Sequence, residues 1–130
     1  MVGLVIVSHS AKIAEGVAEI AAQMAGSELK LVAAGGLQNG EIGTDAVRIG
    51  NAIAEADSGD GVVVMADLGS AVLSTETAIE FLEEAARARV RIADAPIVEG
   101  AISAAIQAFI GSPLQKVADA AERARALRKL

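Results

Sequence analysis

The chain has 130 residues, and 11 Lys and Arg against 17 Asp and Glu give a formal net charge of −6 at pH 7. This acidic balance and an aromatic content of only 2% exclude a nucleic-acid partner, which needs clustered positive charge or rings for base stacking. The absence of cysteine excludes disulfide scaffolds and thiolate chemistry, and 53% hydrophobic residues exclude intrinsic disorder. The length indicates one domain over residues 1–130.

Four short runs of aliphatic residues predict four β-strands. The first and third runs are continuously apolar, which is typical of central parallel strands covered on both faces. The second contains Lys30 and the fourth contains Arg91, which favours positions at the edges of the sheet. The four runs lie at residues 4–7, 29–32, 62–65 and 90–93.

The segments between the strands have the spacing of amphipathic helices. The first helix carries an apolar face made of Ile13, Val17, Ile20, Ala21 and Met24. Three more helices are predicted around residues 46–53, over 70–88 and over 101–110. A last helix is predicted to begin with Ser112 as its cap and Pro113 in its first turn, and to bury Leu114, Val117, Ala118 and Ala121.

This alternation of strands and helices predicts an α/β fold. We expect a doubly wound three-layer sandwich with a mainly parallel four-stranded sheet of order 2-1-3-4 and helices on both faces. None of the apolar runs approaches the roughly 20 residues that span a bilayer, and the N-terminal residues lack the basic region of a signal peptide. A cytoplasmic protein without a membrane partner is therefore expected.

Ligands of such sheets bind beyond the carboxyl ends of the strands, where the strand order reverses. In the order 2-1-3-4 the reversal lies between the first and third strands. The first strand runs into His9, and the third runs into Asp67. These two side chains are therefore predicted to be neighbours at one edge of the sheet.

His9 is the only histidine, so a metal site would lack companion ligands, and we expect neither a metal nor a cofactor. A histidine can instead act as a base or a nucleophile. An imidazole can carry a phosphoryl group on one nitrogen while a carboxylate, here Asp67, accepts the proton on the other. The alternatives are a surface or helix-capping histidine and an ordinary loop aspartate.

A transferring phosphoryl group needs hydrogen-bond donors that are already in place. Ser10 begins the first helix, and Gly69 and Ser70 begin the third, so each offers backbone N–H groups at a helix N-terminus. Gly35 and Gly36 follow the second strand and can bring backbone amides close to a ligand. Turn and capping chemistry is the alternative at each position.

Several enzyme classes are excluded by their motifs. No nucleotide-binding G-x-x-x-x-G-K-[ST] or G-x-G-x-x-G follows a strand, and no G-x-S-x-G sequence is present. A two-component receiver domain, the closest architectural competitor, has acidic residues after its first strand, where this chain has Ser8 and His9.

Five blocks of sequence, in order along the chain, resemble one known family. The blocks are VSHS at 7–10, AAGG at 33–36 with GEIGT at 40–44, DLGSA at 67–71, ETAIEFL at 76–82 and ADAPIVEGA at 93–101. Together they resemble the mannose-type enzyme IIA domains, and among these the phosphotransfer subunits of phosphotransferase-dependent dihydroxyacetone kinases. The resemblance covers residues 1–111.

The resemblance implies a doubly wound α/β fold and a phosphorelay function. It implies that His9 accepts a phosphoryl group from a free phosphocarrier, HPr, with Asp67 as the partner of the imidazole. His9 would then pass the group to ADP held on the subunit DhaL, and the resulting ATP would phosphorylate dihydroxyacetone bound to the subunit DhaK. The resemblance also implies a homodimer.

Two proteins must reach the same histidine in this reaction, so His9 is expected at a shallow and partly apolar surface. Leu37, Ile42, Leu68 and Val72 are the candidates for contact with these partners. Two alternative functions share the same histidine. One is a sensor domain whose phosphohistidine regulates a partner protein, and the other is the IIA component of a mannose-type sugar permease.

Overall fold

The computed structural model describes residues 1–130 and contains one sheet of four parallel strands. The strand order is β2-β1-β3-β4, which confirms the predicted fold and places the second and fourth strands at the edges. The strands are β1 (Gly3–Ser8), β2 (Leu31–Gly35), β3 (Val62–Ala66) and β4 (Val90–Ala93).

Six α-helices and one short 3-10 turn cover the sheet. They are α1 (Ala11–Ala25), α2 (Ala46–Ala56), α3 (Gly69–Glu80), α4 (Glu84–Arg87), α5 (Ile97–Phe109), α6 (Leu114–Arg123) and the turn at Ala124–Ala126. None of these helices has the length and apolar character needed to cross a membrane.

The helices form two layers because the central strands are apolar on both faces. Along β1, which is buried over its whole length, Leu4 and Ile6 face a core shared with α1, α5 and α6. Val5 and Val7 face the opposite core, which contains residues of α2 and α3. Alternate side chains of a strand point to opposite faces, so each continuous apolar run serves both cores.

The prediction for the apolar face of α1 is partly wrong. Of its predicted members, Val17 and Ala21 are buried, but Ile13, Ile20 and Met24 are 50%, 48% and 58% exposed. The face that packs on the sheet is a line of small residues, because small side chains let the helix approach the strands closely. This line consists of Ala14, Val17, Ala21 and Ala25.

Other boundaries also differ from the prediction. The predicted helix over 70–88 is divided, because α3 ends at Glu80 and Arg87 turns back to donate hydrogen bonds to the carbonyls of Glu80 and Leu82. β2 begins at Leu31, two residues later than predicted. In α6 the N-cap position belongs to Pro113, because the Ser112 hydroxyl bonds to Gln107 instead. Of the four residues predicted to be buried there, Leu114 is only half-buried.

Candidate functional site

The carboxyl ends of β1 and β3 form the rim at which the strand order reverses. The two strands pair in parallel, with Val7 opposite Ala66. β3 ends at Ala66 and β1 ends one residue after Val7, so the chain after β1 and the chain after β3 emerge side by side. This register brings His9 and Asp67 together from positions 58 residues apart in the sequence.

His9 and Asp67 are joined by two hydrogen bonds. The distance from His9 Nδ1 to Asp67 Oδ1 is 2.9 Å, and the backbone N–H of His9 donates to Asp67 Oδ2 at 3.0 Å. The side chains retain 22% and 14% of their exposure, respectively, so the ring lies at the surface and not in a deep pocket. Backbone and ring are therefore both fixed by one carboxylate.

The other ring nitrogen of His9 faces the beginning of α3. His9 Nε2 is in direct hydrogen-bond contact with Ser70 Oγ. Ser70 and Gly69 are the first residues of α3, and no side chain caps this helix. Their backbone N–H groups precede the first intrahelical bond, so the positive end of the helix lies beside Nε2.

The Asp67 carboxylate is held in its charged form. Burial by itself would raise the pKa of Asp67, but hydrogen bonds from the His9 N–H, the Ser8 hydroxyl, the His9 ring and the Leu68 N–H together hold the pKa below its usual value. A carboxylate that accepts several hydrogen bonds is stabilised in the ionised state. Asp67 is therefore an acceptor for the proton on His9 Nδ1.

The remaining predicted phosphate-binding residues have other partners in the structure. Ser10 caps α1 by accepting the Ile13 N–H at 3.3 Å, and the Ser10 N–H donates to Ser8 Oγ at 3.0 Å. The Gly36 N–H donates to the Ser8 carbonyl at 3.1 Å. Gly35 provides a close contact, because a Cβ atom there would lie 2.6 Å from the Ser10 carbonyl oxygen. Of the five residues predicted to bind phosphate, only Ser70 contacts Nε2.

Apolar side chains are present on the segments that follow β2 and β3. Of the four residues predicted to contact partners, Leu68 and Ile42 are 64% and 71% exposed, whereas Leu37 and Val72 are half-buried. Leu73, which is 66% exposed and one turn after Ser70, was missed by the sequence analysis. Its spacing from Ser70 is the signal that could have identified it, since residues three apart share a helix face.

Two further groups that fix the His9–Asp67 pair were not predicted from the sequence. The Ser8 hydroxyl donates to Asp67 Oδ2 at 2.8 Å, and the Gly43 N–H donates to the His9 carbonyl at 2.9 Å. A hydroxyl residue that ends an otherwise apolar strand directly before the histidine is a signal for the first group. No local pattern identifies the second, because Gly43 comes from a distant loop. The structure contains no cluster of His, Asp and Glu side chains that could hold a metal ion.

A comparison with protein families matches residues 3–118 to the EIIA-man model, described as the PTS system fructose IIA component. The structure is also similar to the crystal structure of the unknown-function protein EF1359. The TM-score is 0.85, the sequences are 39% identical, and the match covers 95% of each chain.

Curated relatives carry the name DhaM, the phosphoryl donor subunit of a PEP-dependent dihydroxyacetone kinase. The protein from Escherichia coli is 47% identical over 120 residues, which is 90% of this chain and 25% of that protein. The protein from Klebsiella michiganensis is 44% identical and matches 95% of this chain and 27% of its own length. This chain thus spans about a quarter of these two relatives. A DhaM subunit from Listeria innocua, of dihydroxyacetone kinase 2, is 40% identical over 85% of this chain and 88% of its own length.

Proposed function

The chain belongs to the EIIA-man family, and from this premise we propose that it carries a phosphoryl group on His9 as the phosphotransfer subunit of a dihydroxyacetone kinase. HPr would be the phosphoryl donor, ADP bound to DhaL the acceptor, and DhaK the subunit that presents dihydroxyacetone. We propose a cytoplasmic location for this relay. The names of the curated relatives support this choice of substrate.

The contact between His9 Nδ1 and Asp67 carries the proposal. An ionised carboxylate only accepts hydrogen bonds, so the hydrogen between the two atoms belongs to Nδ1. In this tautomer Nε2 has the free lone pair. Nε2 is therefore the nucleophile, and it points towards the N-terminus of α3, where an incoming phosphoryl group meets donors.

The transfer proceeds in two displacements on this nitrogen. In the first, Nε2 attacks the phosphorus of phosphorylated HPr, forming one N–P bond while the donor's N–P bond breaks. The ring then has a hydrogen on Nδ1 and a phosphoryl group on Nε2, so it is positively charged, and Asp67 compensates this charge at 2.9 Å. In the second, a terminal phosphate oxygen of ADP attacks the phosphorus, and the His9 N–P bond breaks.

Donors at the start of α3 fit the developing negative charge on the phosphoryl oxygens. The Ser70 hydroxyl already contacts Nε2, and the N–H groups of Gly69 and Ser70 have no intrahelical partner. Preorganised donors of this kind are a main source of rate enhancement in phosphoryl transfer. Ser70 therefore solvates the phosphoryl group during both transfers.

The shallow position of the ring fits two alternating protein partners. The His9 side chain is 22% exposed, Leu68 and Ile42 are both mostly exposed, and a cleft of about 460 Å³ opens beside Asp67, lined in part by Leu68 and Val72. Exposed apolar side chains beside a polar site offer surface that a partner protein can bury. Either partner can cover the site and exclude water while the phosphoryl group moves.

A homodimer is part of the proposal and is supported by a second apolar surface, the α1/α5 face. This face consists of residues of α1 and α5 that are 37–58% exposed: Ile13, Ile20, Met24, Val98, Ile106 and Phe109. The two helices pack together, and a Cβ atom at Gly26 would lie 3.5 Å from Phe109, which places the end of α1 beside α5. Monomeric proteins rarely expose a contiguous apolar surface of this kind. A second copy of the chain is the proposed occupant.

The test is a phosphate relay with purified proteins. Wild-type protein, mixed with enzyme I, HPr and labelled phosphoenolpyruvate, should acquire the label, and addition of DhaL with bound ADP should discharge it as ATP on DhaL. His9→Ala should remain unlabelled while its circular dichroism stays that of the wild type.

Lys30→Ala, at an exposed position in front of β2 and away from the rim, is the control and should behave as the wild type. Labelling of His9→Ala would place the phosphoryl group on another residue. A labelled wild type that DhaL with ADP does not discharge would remove the chain from dihydroxyacetone phosphorylation.

A further inference from the structure

We propose that Ser8 is a positioning residue for the phosphotransfer site: its hydroxyl orients the Asp67 carboxylate and thereby keeps His9 in the tautomer with a free Nε2 lone pair. The inference rests on the proposed function, because it assigns a part in that same site. Ser8 lies at the end of β1 and touches neither the phosphoryl group nor a partner.

Ser8 is unusual among the polar residues because it is completely buried. Ser8 and Thr75 are the two polar residues in the buried class, and both have 0% exposure. The Thr75 hydroxyl bonds within its own helix, to the Ala71 carbonyl at 2.7 Å. The Ser8 hydroxyl instead joins residues from two separate elements, which a polar group serving only local backbone structure does not do.

The hydrogen-bond inventory fixes the direction of the Ser8 hydroxyl. A hydroxyl has one hydrogen and two acceptor lone pairs. The Ser10 N–H donates to Ser8 Oγ at 3.0 Å and occupies one lone pair. The single hydrogen therefore lies along the 2.8 Å contact to Asp67 Oδ2. The first turn before α1 thus polarises the hydroxyl towards the carboxylate.

Asp67 in turn needs this hydrogen to keep its orientation. Oδ2 accepts from the Ser8 hydroxyl and the His9 N–H, while Oδ1 accepts from the Leu68 N–H at 2.7 Å and faces His9 Nδ1. Ser8 is the only side chain other than His9 that bonds to this carboxylate. Because Ser8 has no contact with solvent, water is not available to replace the hydroxyl in a truncated variant.

The experiment compares Ser8→Ala with Ser8→Thr and with Thr75→Val as the matched control, which removes the other buried hydroxyl. Two-bond ¹H–¹⁵N NMR spectra of the His9 ring report which nitrogen carries the hydrogen. In the wild type and in Thr75→Val, Nδ1 should be protonated and Nε2 bare. In Ser8→Ala, both nitrogens should shift towards the averaged values of a mixed tautomer population, and phosphoryl uptake from HPr should slow about 10-fold. Ser8→Thr should restore both readouts.

The inference would be overturned if Ser8→Ala left the chemical shifts of the His9 ring nitrogens unchanged and the rate of phosphoryl uptake within twofold of the wild type. Mixed tautomers in both Ser8 variants would also overturn it. A wild-type spectrum provides a second test that needs no folded variant. The Ser8 hydroxyl proton should be protected from exchange with solvent and show contacts to the Ser10 N–H. If no signal from a protected Ser8 hydroxyl proton is found, the inference is contradicted. If HPr fails to phosphorylate the wild type, the proposed function is wrong, while the tautomer measurement still decides the role of Ser8.

Discussion

The Asp67 carboxylate accepts two hydrogen bonds from His9, one from the backbone N–H at 3.0 Å and one from ring Nδ1 at 2.9 Å. A single acidic side chain on the loop after β3 therefore determines both where the chain leaves β1 and how the imidazole is turned. The orientation of the ring depends on the tertiary structure and not on the rotamer preference of a surface histidine.

Replacing the carboxylate by an amide should impair the chemistry and spare the docking. In Asp67→Asn, the amide NH₂ cannot accept a hydrogen bond, so one of the two His9 donors loses its acceptor and the charge compensation is lost. We expect phosphoryl uptake from HPr to slow about 100-fold, within the range for general acid–base partners. Rapid-quench labelling measures the rate, and calorimetry measures the affinity for HPr, which should be unchanged.

The control for this substitution is Glu28→Gln, which changes an exposed carboxylate before the start of β2, at the end of the sheet opposite the site. Its uptake rate should match the wild type. Wild-type uptake in Asp67→Asn would remove the aspartate from the mechanism.

Loss of the Ser70 hydroxyl should slow both transfers because the phosphoryl oxygens lose one donor. The contact between Ser70 Oγ and His9 Nε2 lies at an exposed position, so we expect a loss of about 10-fold, smaller than that for a buried oxyanion donor. Labelling kinetics of Ser70→Ala test this. Ser74→Ala, one turn further along α3 and bonded to Thr44, should leave the rate unchanged. Equal effects of the two substitutions would indicate damage to the helix.

Acid should destabilise the protein partly through Asp57. Burial would raise the pKa of Asp57, but the hydrogen bond from Arg89 and those from nearby backbone N–H groups hold the pKa below the ordinary value of 3.8. The unfolded state therefore binds protons first as the pH falls, so the stabilisation is present at neutral pH and is lost as the pH falls below the ordinary value of 3.8 and through the lowered pKa of the folded state.

Urea unfolding from pH 2 to 7 measures this contribution. The free energy of unfolding of Asp57→Asn should lie below that of the wild type at pH 7, and the two curves should converge in acid. Glu28→Gln, at an exposed carboxyl outside the ion pairs of the structure, is the control and should run parallel to the wild type. A constant difference between Asp57→Asn and wild type at every pH would contradict the assignment.

Two glycine substitutions should have opposite effects on stability. A Cβ atom at Gly35 would lie 2.6 Å from the Ser10 carbonyl oxygen and 2.8 Å from Ala14 Cβ, so Gly35→Ala should destabilise the fold by about 1–3 kcal/mol. At Gly16, within α1, a Cβ atom meets nothing within 4 Å, so Gly16→Ala should stabilise by about 0.5–1 kcal/mol. Chemical denaturation measures both values. A neutral Gly35→Ala would mean that β2 can move away from α1.

The proposed dimer should depend on the α1/α5 face. Ile20→Glu places a charge among its apolar side chains and should shift the protein from dimer to monomer in sedimentation equilibrium, because an unpaired charge is costly to bury. Glu19→Gln changes the neighbouring exposed residue on another side of α1 and should leave the mass unchanged. A wild type that sediments as a monomer at all concentrations contradicts the dimer.

The strands were predictable because the pattern that identifies them has one physical cause. Continuous apolar runs such as 62–65 mark strands covered on both faces, and the charged runs belong to the edges. The predictions that were wrong concern contacts between elements, where different side chains compete for the same position against the sheet. Ile13, Ile20 and Met24 match the helical period, but Ala14 and Ala25 pack closer to the sheet and displace them. The break after Glu80, where Arg87 donates hydrogen bonds to the carbonyls of Glu80 and Leu82, has no local signature in the sequence.

The pairing of His9 with Asp67 could be anticipated from topology, because the carboxyl ends of neighbouring parallel strands meet at one rim. The hydrogen-bond partners of Ser10 and Gly36 could not be anticipated. Their N–H groups were expected to be available to a ligand, but both donate to Ser8 in the structure. Which donor satisfies which acceptor depends on distances of a few tenths of an ångström, and no residue pattern encodes these.

The register between β1 and β3 makes the proposed catalytic pair sensitive to the alignment of the two strands. A slip of one residue between the strands would displace Asp67 by about 3.3 Å and turn its side chain to the opposite face, out of reach of the imidazole. If the proposed function is correct, a misaligned chain would not take up phosphoryl groups. Phosphate uptake can accordingly serve as a sensitive assay for native strand alignment in refolded or redesigned versions of the domain.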